Sequence, residues 1–274
     1  MKRIFLSIVS SLFLSTLFVS CNNEPAKEEK QEPKIKEEIV SYTVDTLNMK
    51  SYVYYDENIE GKRPAVLVIH EWWGLNDYVK RRAKMLAELG YIAMAIDMYG
   101  NGRMGTDPQS AGMLAYPYYE NSVMTKKIFD AGLNEFKKNQ LVNTDDIGGM
   151  GYCFGGGLIL NLARMGEPLK GVVSFHGGLV GAPPEKDHFK AEVLVCHGEA
   201  DPFVPKEEVE RFKKQMDSIG KSYTFKSYPD ALHAFTNPNA TELGKKFEIP
   251  IAYNAAADTA SWNEMKIFFD RVLK

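Results

Sequence analysis

Gly151-Tyr152-Cys153-Phe154-Gly155-Gly156 joins an apolar strand pattern (146–152) to a helical one (155–165). This is the G-x-S-x-G nucleophile-elbow pattern, with cysteine where serine is usual. A turn that sharp strains its central residue and leaves no room for side chains two positions before and after it, which is why glycine stands at 151 and 155. Such a turn lifts the central thiol clear of a sheet and sets it at a helix N-terminus, where a thiolate is favoured.

The same alternation extends in both directions. Residues 65–70 (AVLVIH) form an unbroken apolar run, the pattern of a strand buried on both faces. Asn76 or Asp77 caps a helix that runs to Leu89 and stops at Gly90, with Val79, Ala83 and Leu86 on one face. Residues 91–99 are the next buried strand, and 41–57 carry two β-rich runs around Asn48, an opening hairpin. Residues 100–120 are rich in glycine, proline and tyrosine and read as a long irregular connection, of the kind that forms binding loops. A helix follows over 121–140. Strands at 169–175, 192–198 and 222–228 alternate with a helix at 206–220, and a last helix opens on the capping box Ser261-Trp262-Asn263-Glu264. Trp262, Met265, Phe269 and Val272 form its core face. The pattern predicts one α/β domain with a mostly parallel central sheet and helices on both faces, with no internal repeat.

The chain of 274 residues is 45% hydrophobic and 25% charged, enough for one sizeable core. A net charge of −3 without a basic stripe excludes nucleic acid as a partner. Lys2 and Arg3 precede an uncharged, mostly apolar stretch (4–19) that ends at Ser20 and Cys21. Residues 1–20 therefore read as a signal peptide of the lipoprotein type, with Cys21 the lipid attachment point. Residues 21–40, rich in Glu, Lys and Pro, read as a flexible tether, and 41–274 as the folded domain. The expectation is an exported bacterial lipoprotein of the cell envelope, a monomer held to the membrane by its N-terminal lipid.

Two further residues complete a chemical order. Asp201 lies in His197-Gly198-Glu199-Ala200-Asp201-Pro202, just past an apolar strand, and His233 lies in Asp230-Ala231-Leu232-His233 after another. Nucleophile, acid and histidine follow one another in the order this elbow uses, and each sits at the carboxyl end of a strand, where open α/β sheets build their sites. His233 can take the thiol proton and return it to a leaving alkoxide while Asp201 orients the imidazole; Glu199 and Asp230 are alternatives for the orienting acid. His70, His176 and His197 each end an apolar strand and read as structural histidines, and Cys196 as a core thiol. No H-x-x-x-H or C-x-x-C pair is present, so neither metal nor cofactor is expected. His70-Glu71-Trp72-Trp73-Gly74 ends the first buried strand, the place of the second oxyanion donor, with the N–H of Phe154 as the first. Glu71 then falls near Cys153, and a buried carboxylate is costly enough to suggest a task.

HEWWGLND (70–77), GYCFGGG (151–157), HGEADPFVP (197–205) and DALHAF (230–235), in this order, resemble the dienelactone hydrolase family over about 45–273. The resemblance implies a single α/β-hydrolase domain and hydrolysis of a small ester or lactone through Cys153, His233 and Asp201. Glu71 then matches the glutamate that controls thiol ionisation, and Trp72 and Phe154 the backbone oxyanion donors; Tyr99, Arg103 and Trp73 are the candidate substrate contacts. Two positions depart from the pattern. Asn237 stands where an arginine holds the substrate carboxylate, and after Asp97-Met98-Tyr99 the nearest arginine is Arg103. A thioesterase or acyl transferase on the same residues, or an exported binding lipoprotein with little turnover, are the alternative readings.

Overall fold

The computed structural model describes residues 32–274. The signal segment, Cys21 and residues 22–31 of the tether lie outside the described residues. Eight strands form one sheet: β1 (Ile35–Val44), β2 (Leu47–Asp56), β3 (Arg63–Ile69), β4 (Ile92–Ile96), β5 (Val142–Tyr152), β6 (Gly171–Phe175), β7 (Glu192–Gly198) and β8 (Tyr223–Tyr228). Their spatial order is β1-β2-β4-β3-β5-β6-β7-β8. β1 pairs antiparallel with β2 and β2 antiparallel with β4, and every later pairing is parallel. The expected α/β architecture with a mostly parallel sheet is the one found.

Strand side chains alternate between two cores, as the period of two requires. Ala65, Leu67 and Ile69 of β3 join Ile92, Met94 and Ile96 of β4 on one face. That face is covered by α2 (Pro108–Glu120), α3 (Ser122–Phe136), α4 (Phe154–Arg164) and α5 (Lys206–Ser218). Val66, Val68, Ala93 and Ala95 look the other way, against α1 (Asp77–Ala87) and α7 (Ala255–Val272). A short α6 (Ala240–Phe247), not anticipated from the sequence, follows the loop after β8.

Three expectations are corrected. Residues 35–40 are not tether but the first half of β1, and the hairpin turns at Asp45-Thr46 rather than around Asn48. The charged residues of this stretch hid a strand because they sit on a sheet edge, where charge is tolerated. There Tyr54 donates to Glu37 at 2.7 Å and Tyr55 to Glu38 at 2.6 Å. Residues 108–120 are not irregular: Asp107 caps α2 by accepting the Ser110 N–H at 2.8 Å, and Pro108 takes the first helical position, where its missing N–H costs nothing. α7 begins six residues before the predicted capping box, with Asn254 accepting from Ala257 N–H at 3.1 Å; Ser261 lies within the helix and donates back to the Asp258 carbonyl.

Candidate active site

β5 ends at Tyr152, α4 starts at Phe154, and Cys153 between them holds φ 53°, ψ −113°. A Cβ on Gly151 would stand 2.1 Å from the Gly155 carbonyl oxygen, and one on Gly155 2.4 Å from that of Ile69, so backbone fills the space on both sides of the turn. The Gly155 N–H donates to the His70 carbonyl at 3.1 Å, which ties the elbow to the end of β3. Phe154 opens the helix, so its own N–H has no intrahelical partner.

The elbow meets residues from two other strand ends. His233, in the loop after β8, places Nε2 3.0 Å from Cys153 Sγ and donates from Nδ1 to Asp201 Oδ2 at 2.7 Å. Asp201, after β7, is buried and also accepts the Phe203 N–H at 2.8 Å. Burial opposes a charge on the His233 ring, but the neighbouring Cys153 thiolate and Asp201 carboxylate outweigh it and push its pKa up to about 10. Glu199 and Asp230 are exposed, and it is Asp201 that His233 bonds.

The loop after β3 supplies the opposite wall. Glu71 is buried, with the Asn237 amide donating to its Oε2 at 2.7 Å. Burial pushes the Glu71 carboxyl up to about 7, against the Asn237 bond and the charges of His233 and Arg82. Its carboxylate is bonded by Asn237 rather than by Cys153. His70 donates from Nδ1 to the Glu71 carbonyl at 2.6 Å and accepts the Met98 N–H on Nε2 at 3.3 Å. Burial drops its pKa to about 4, so the ring is neutral and this tautomer holds the Glu71-Trp72 turn.

The expected substrate contacts separate. Trp73 faces the cavity beside Cys153. Tyr99 does not: it is fully buried and donates to the Trp72 carbonyl at 2.9 Å, propping the loop from behind. Arg103 does not either. Gly100 and Gly102, both with positive φ, turn the chain so that its guanidinium bonds the Tyr99 and Gly100 carbonyls and lines a separate cleft with Lys127 and Tyr118.

A histidine read as merely structural touches the site. His176, also at positive φ (41°), faces the Cys153 N–H with Nδ1 at 3.1 Å, a donor that the Phe175 carbonyl shares at 3.0 Å. Its Nε2 lies 2.7 Å from Thr236 Oγ1, which meets Tyr78 OH at 2.6 Å, while Arg82 donates to the Thr236 carbonyl at 2.6 Å. The His176 ring stands edge-on to His233, centroids 5.3 Å apart. Burial and the charges of His233 and Arg82 drive its pKa well down, so it stays neutral.

The cavity over Cys153 holds about 220 Å³. Trp72, Trp73, Tyr119, Phe203, Ile249 and Ile251 supply the large apolar side chains of its wall. The last four escaped the sequence reading because they come from α2, the loop after Asp201 and the segment after α6, which only the fold brings together. The clustered tyrosines of 116–119 and the aromatic two places after Asp201 were the available signals. Among the described residues no three His, Cys, Asp or Glu side chains are grouped as a metal site requires.

The profile of the dienelactone hydrolase family matches residues 49–273. A protein of Aquifex aeolicus (strain VF5), provisionally named a carboxymethylenebutenolidase, is 27% identical over 216 residues, 77% of this chain and 89% of that one. A crystal structure described as a dienelactone-hydrolase-like promiscuous phosphotriesterase from metagenomic libraries superposes with a TM-score of 0.81 at 32% identity, over 88% of this chain and 99% of that chain. An acylaminoacyl peptidase of Pyrococcus horikoshii shares the fold alone, with a TM-score of 0.68 at 15% identity over 88% of this chain and 42% of its own. With an elbow thiol, a buried His–Asp pair and an apolar cavity gathered at the ends of the parallel strands, and with the family profile spanning nearly all of the folded region, the chain belongs to the dienelactone hydrolase family.

Proposed function

We propose that the protein hydrolyses small esters or lactones through a covalent acyl-enzyme on Cys153. The observation that carries this reading is the row Cys153 Sγ–His233 Nε2 (3.0 Å) and His233 Nδ1–Asp201 Oδ2 (2.7 Å), opening on an apolar cavity. The thiolate attacks the carbonyl carbon, and the oxyanion is held by the N–H groups of Phe154 and Trp72. Collapse expels an alkoxide, which takes the proton from His233 Nε2 and leaves a thioester. Water then gives its proton to His233 and attacks the thioester; the carboxylic product leaves and the thiolate returns. Asp201 holds the imidazole in the required tautomer throughout. Glu71, which titrates near neutrality beside the thiol, is suited to exchange a proton with it once its bond to Asn237 loosens. The names of the relatives, a carboxymethylenebutenolidase and a phosphotriesterase, support hydrolysis at a polarised ester centre.

The test is Cys153→Ala assayed on p-nitrophenyl acetate beside wild type. The expected loss in kcat is about 10³-fold or more, together with loss of labelling at this position by an ester-type activity probe. Wild-type turnover in the variant would sink the reading.

The same proposal takes residues 1–20 as an export signal and Cys21 as a lipid attachment point, which the Lys2-Arg3 start and the apolar stretch 4–19 support.

A further inference from the structure

We infer that the cavity selects an uncharged ester bearing a flat apolar group and rejects carboxylate-bearing esters; this deepens the hydrolase reading and rests on it. Among the described residues no lysine or arginine faces the space over Cys153. The cations nearest the site are each committed elsewhere. Arg103 bonds the Tyr99 and Gly100 carbonyls and lines a different cleft. Arg82 is buried on the Thr236 carbonyl and Asp258. Lys246 lies 4.7 Å over the Phe247 ring, and Trp73 stacks on that same ring at 5.9 Å. Trp73 lines both the cavity over Cys153 and the neighbouring cleft that Lys246 lines, and Lys246 stands only in the second.

Of the ionisable groups that face the cavity, none offers an unmatched positive charge, and Tyr119 brings only a neutral hydroxyl. Positive charge on His233 is already matched by Asp201 at 2.7 Å and Cys153 at 3.0 Å. Glu71 presents a carboxyl whose one amide donor is neutral. A substrate carboxylate placed here would lose its water, find no cation, and stand near a second carboxyl group.

The wall also states what is accepted. Tyr119 and Phe203 are 54% and 51% exposed, and both line the cavity over Cys153. Tyr119 packs edge-on to Phe154, next to the nucleophile, with centroids 5.5 Å apart, and Phe203 packs edge-on to His233 at 5.1 Å. The two rings flank the Cys153–His233 pair and offer their remaining surface to a flat apolar group.

The test compares p-nitrophenyl butyrate with mono-p-nitrophenyl succinate, which share a leaving group and differ by one carboxylate. The expected kcat/KM ratio is about 100-fold or more in favour of the neutral ester. Comparable or inverted values, abolished in Cys153→Ala, would overturn the inference and leave the hydrolase reading standing. No turnover of either ester, or turnover unchanged in Cys153→Ala, would overturn the hydrolase reading and this inference with it. Phe203→Ala is expected to raise KM for p-nitrophenyl benzoate about 10-fold while moving that for the acetate less than about twofold. Equal changes for the two esters would remove Phe203 from the recognition of the apolar group.

Discussion

Glu71 keeps a carboxyl group buried beside the thiol with one neutral amide donor. An arginine at position 237 would hold it ionised; Asn237 donates a hydrogen bond without a charge, so burial dominates and the group rises from 4.5 to about 7. The folded protein then binds this proton more tightly than the unfolded chain, and stability falls as pH rises through that window, by up to about 3 kcal/mol once both states are ionised. Glu71→Gln, which keeps the shape and removes the titration, is expected to raise the melting temperature by about 5 °C at pH 8 and by much less at pH 5. Differential scanning calorimetry at the two pH values checks it, and an equal gain at both would show that the titration is not the cause. The residue types of this site were legible early, because an ordered Cys, Asp and His each followed an apolar strand. Asn237 was read only as a missing arginine; its bond to Glu71 depends on two loops 166 residues apart in the chain.

At the scale of elements, the elbow between β5 and α4 and the loop after β8 must keep a fixed separation if Sγ and Nε2 are to stay in contact. His176, at the end of β6, bridges them: Nδ1 faces the Cys153 N–H and Nε2 reaches Thr236, three residues beyond His233. His176→Asn keeps an acceptor toward Cys153 but cannot reach Thr236, and Thr236→Val removes the hydroxyl at constant shape. Each is expected to lower kcat about 10-fold with KM nearly unchanged, and the double variant no further than His176→Asn alone, because both cut one link. Multiplicative losses would mean the two residues act separately. The pH profile of Cys153 alkylation by iodoacetamide should shift in the same variants, which loss of folded protein alone would not produce. Strand 35–40 and helix 108–120 were the elements least visible in the sequence. The first is a charged edge whose tyrosine partners lie on the neighbouring strand, and the second is dense in the residues that usually break helices.

The whole molecule places β3, β5, β7 and β8 so that their carboxyl ends gather in one region, and the loops that follow carry Glu71, Cys153, Asp201 and His233. All four of these residues lie within the described 32–274 and Cys21 is not among them, so the proposed anchor can be tested apart from the chemistry. Cys21→Ser in the full chain is expected to move the protein from the membrane pellet to the soluble fraction with kcat on p-nitrophenyl acetate unchanged. Fractionation of cells expressing the two forms checks it, and an equal share in the pellet would discard the lipid at Cys21.

By itself the sequence determined the class of architecture and the residues of the candidate site. Both are local: continuous apolar runs need a sheet covered on two faces, and a glycine-flanked Cys between a strand and a helix needs a tight turn. Tertiary structure alone decided what surrounds that thiol. Tyr119, Phe203, Ile249 and Ile251 reach it from three separate segments, Arg103 turns away on glycines with positive φ, and Glu71 finds Asn237 rather than a cation. Those outcomes follow from packing between distant elements, which leaves no periodic trace in a chain read one residue after another.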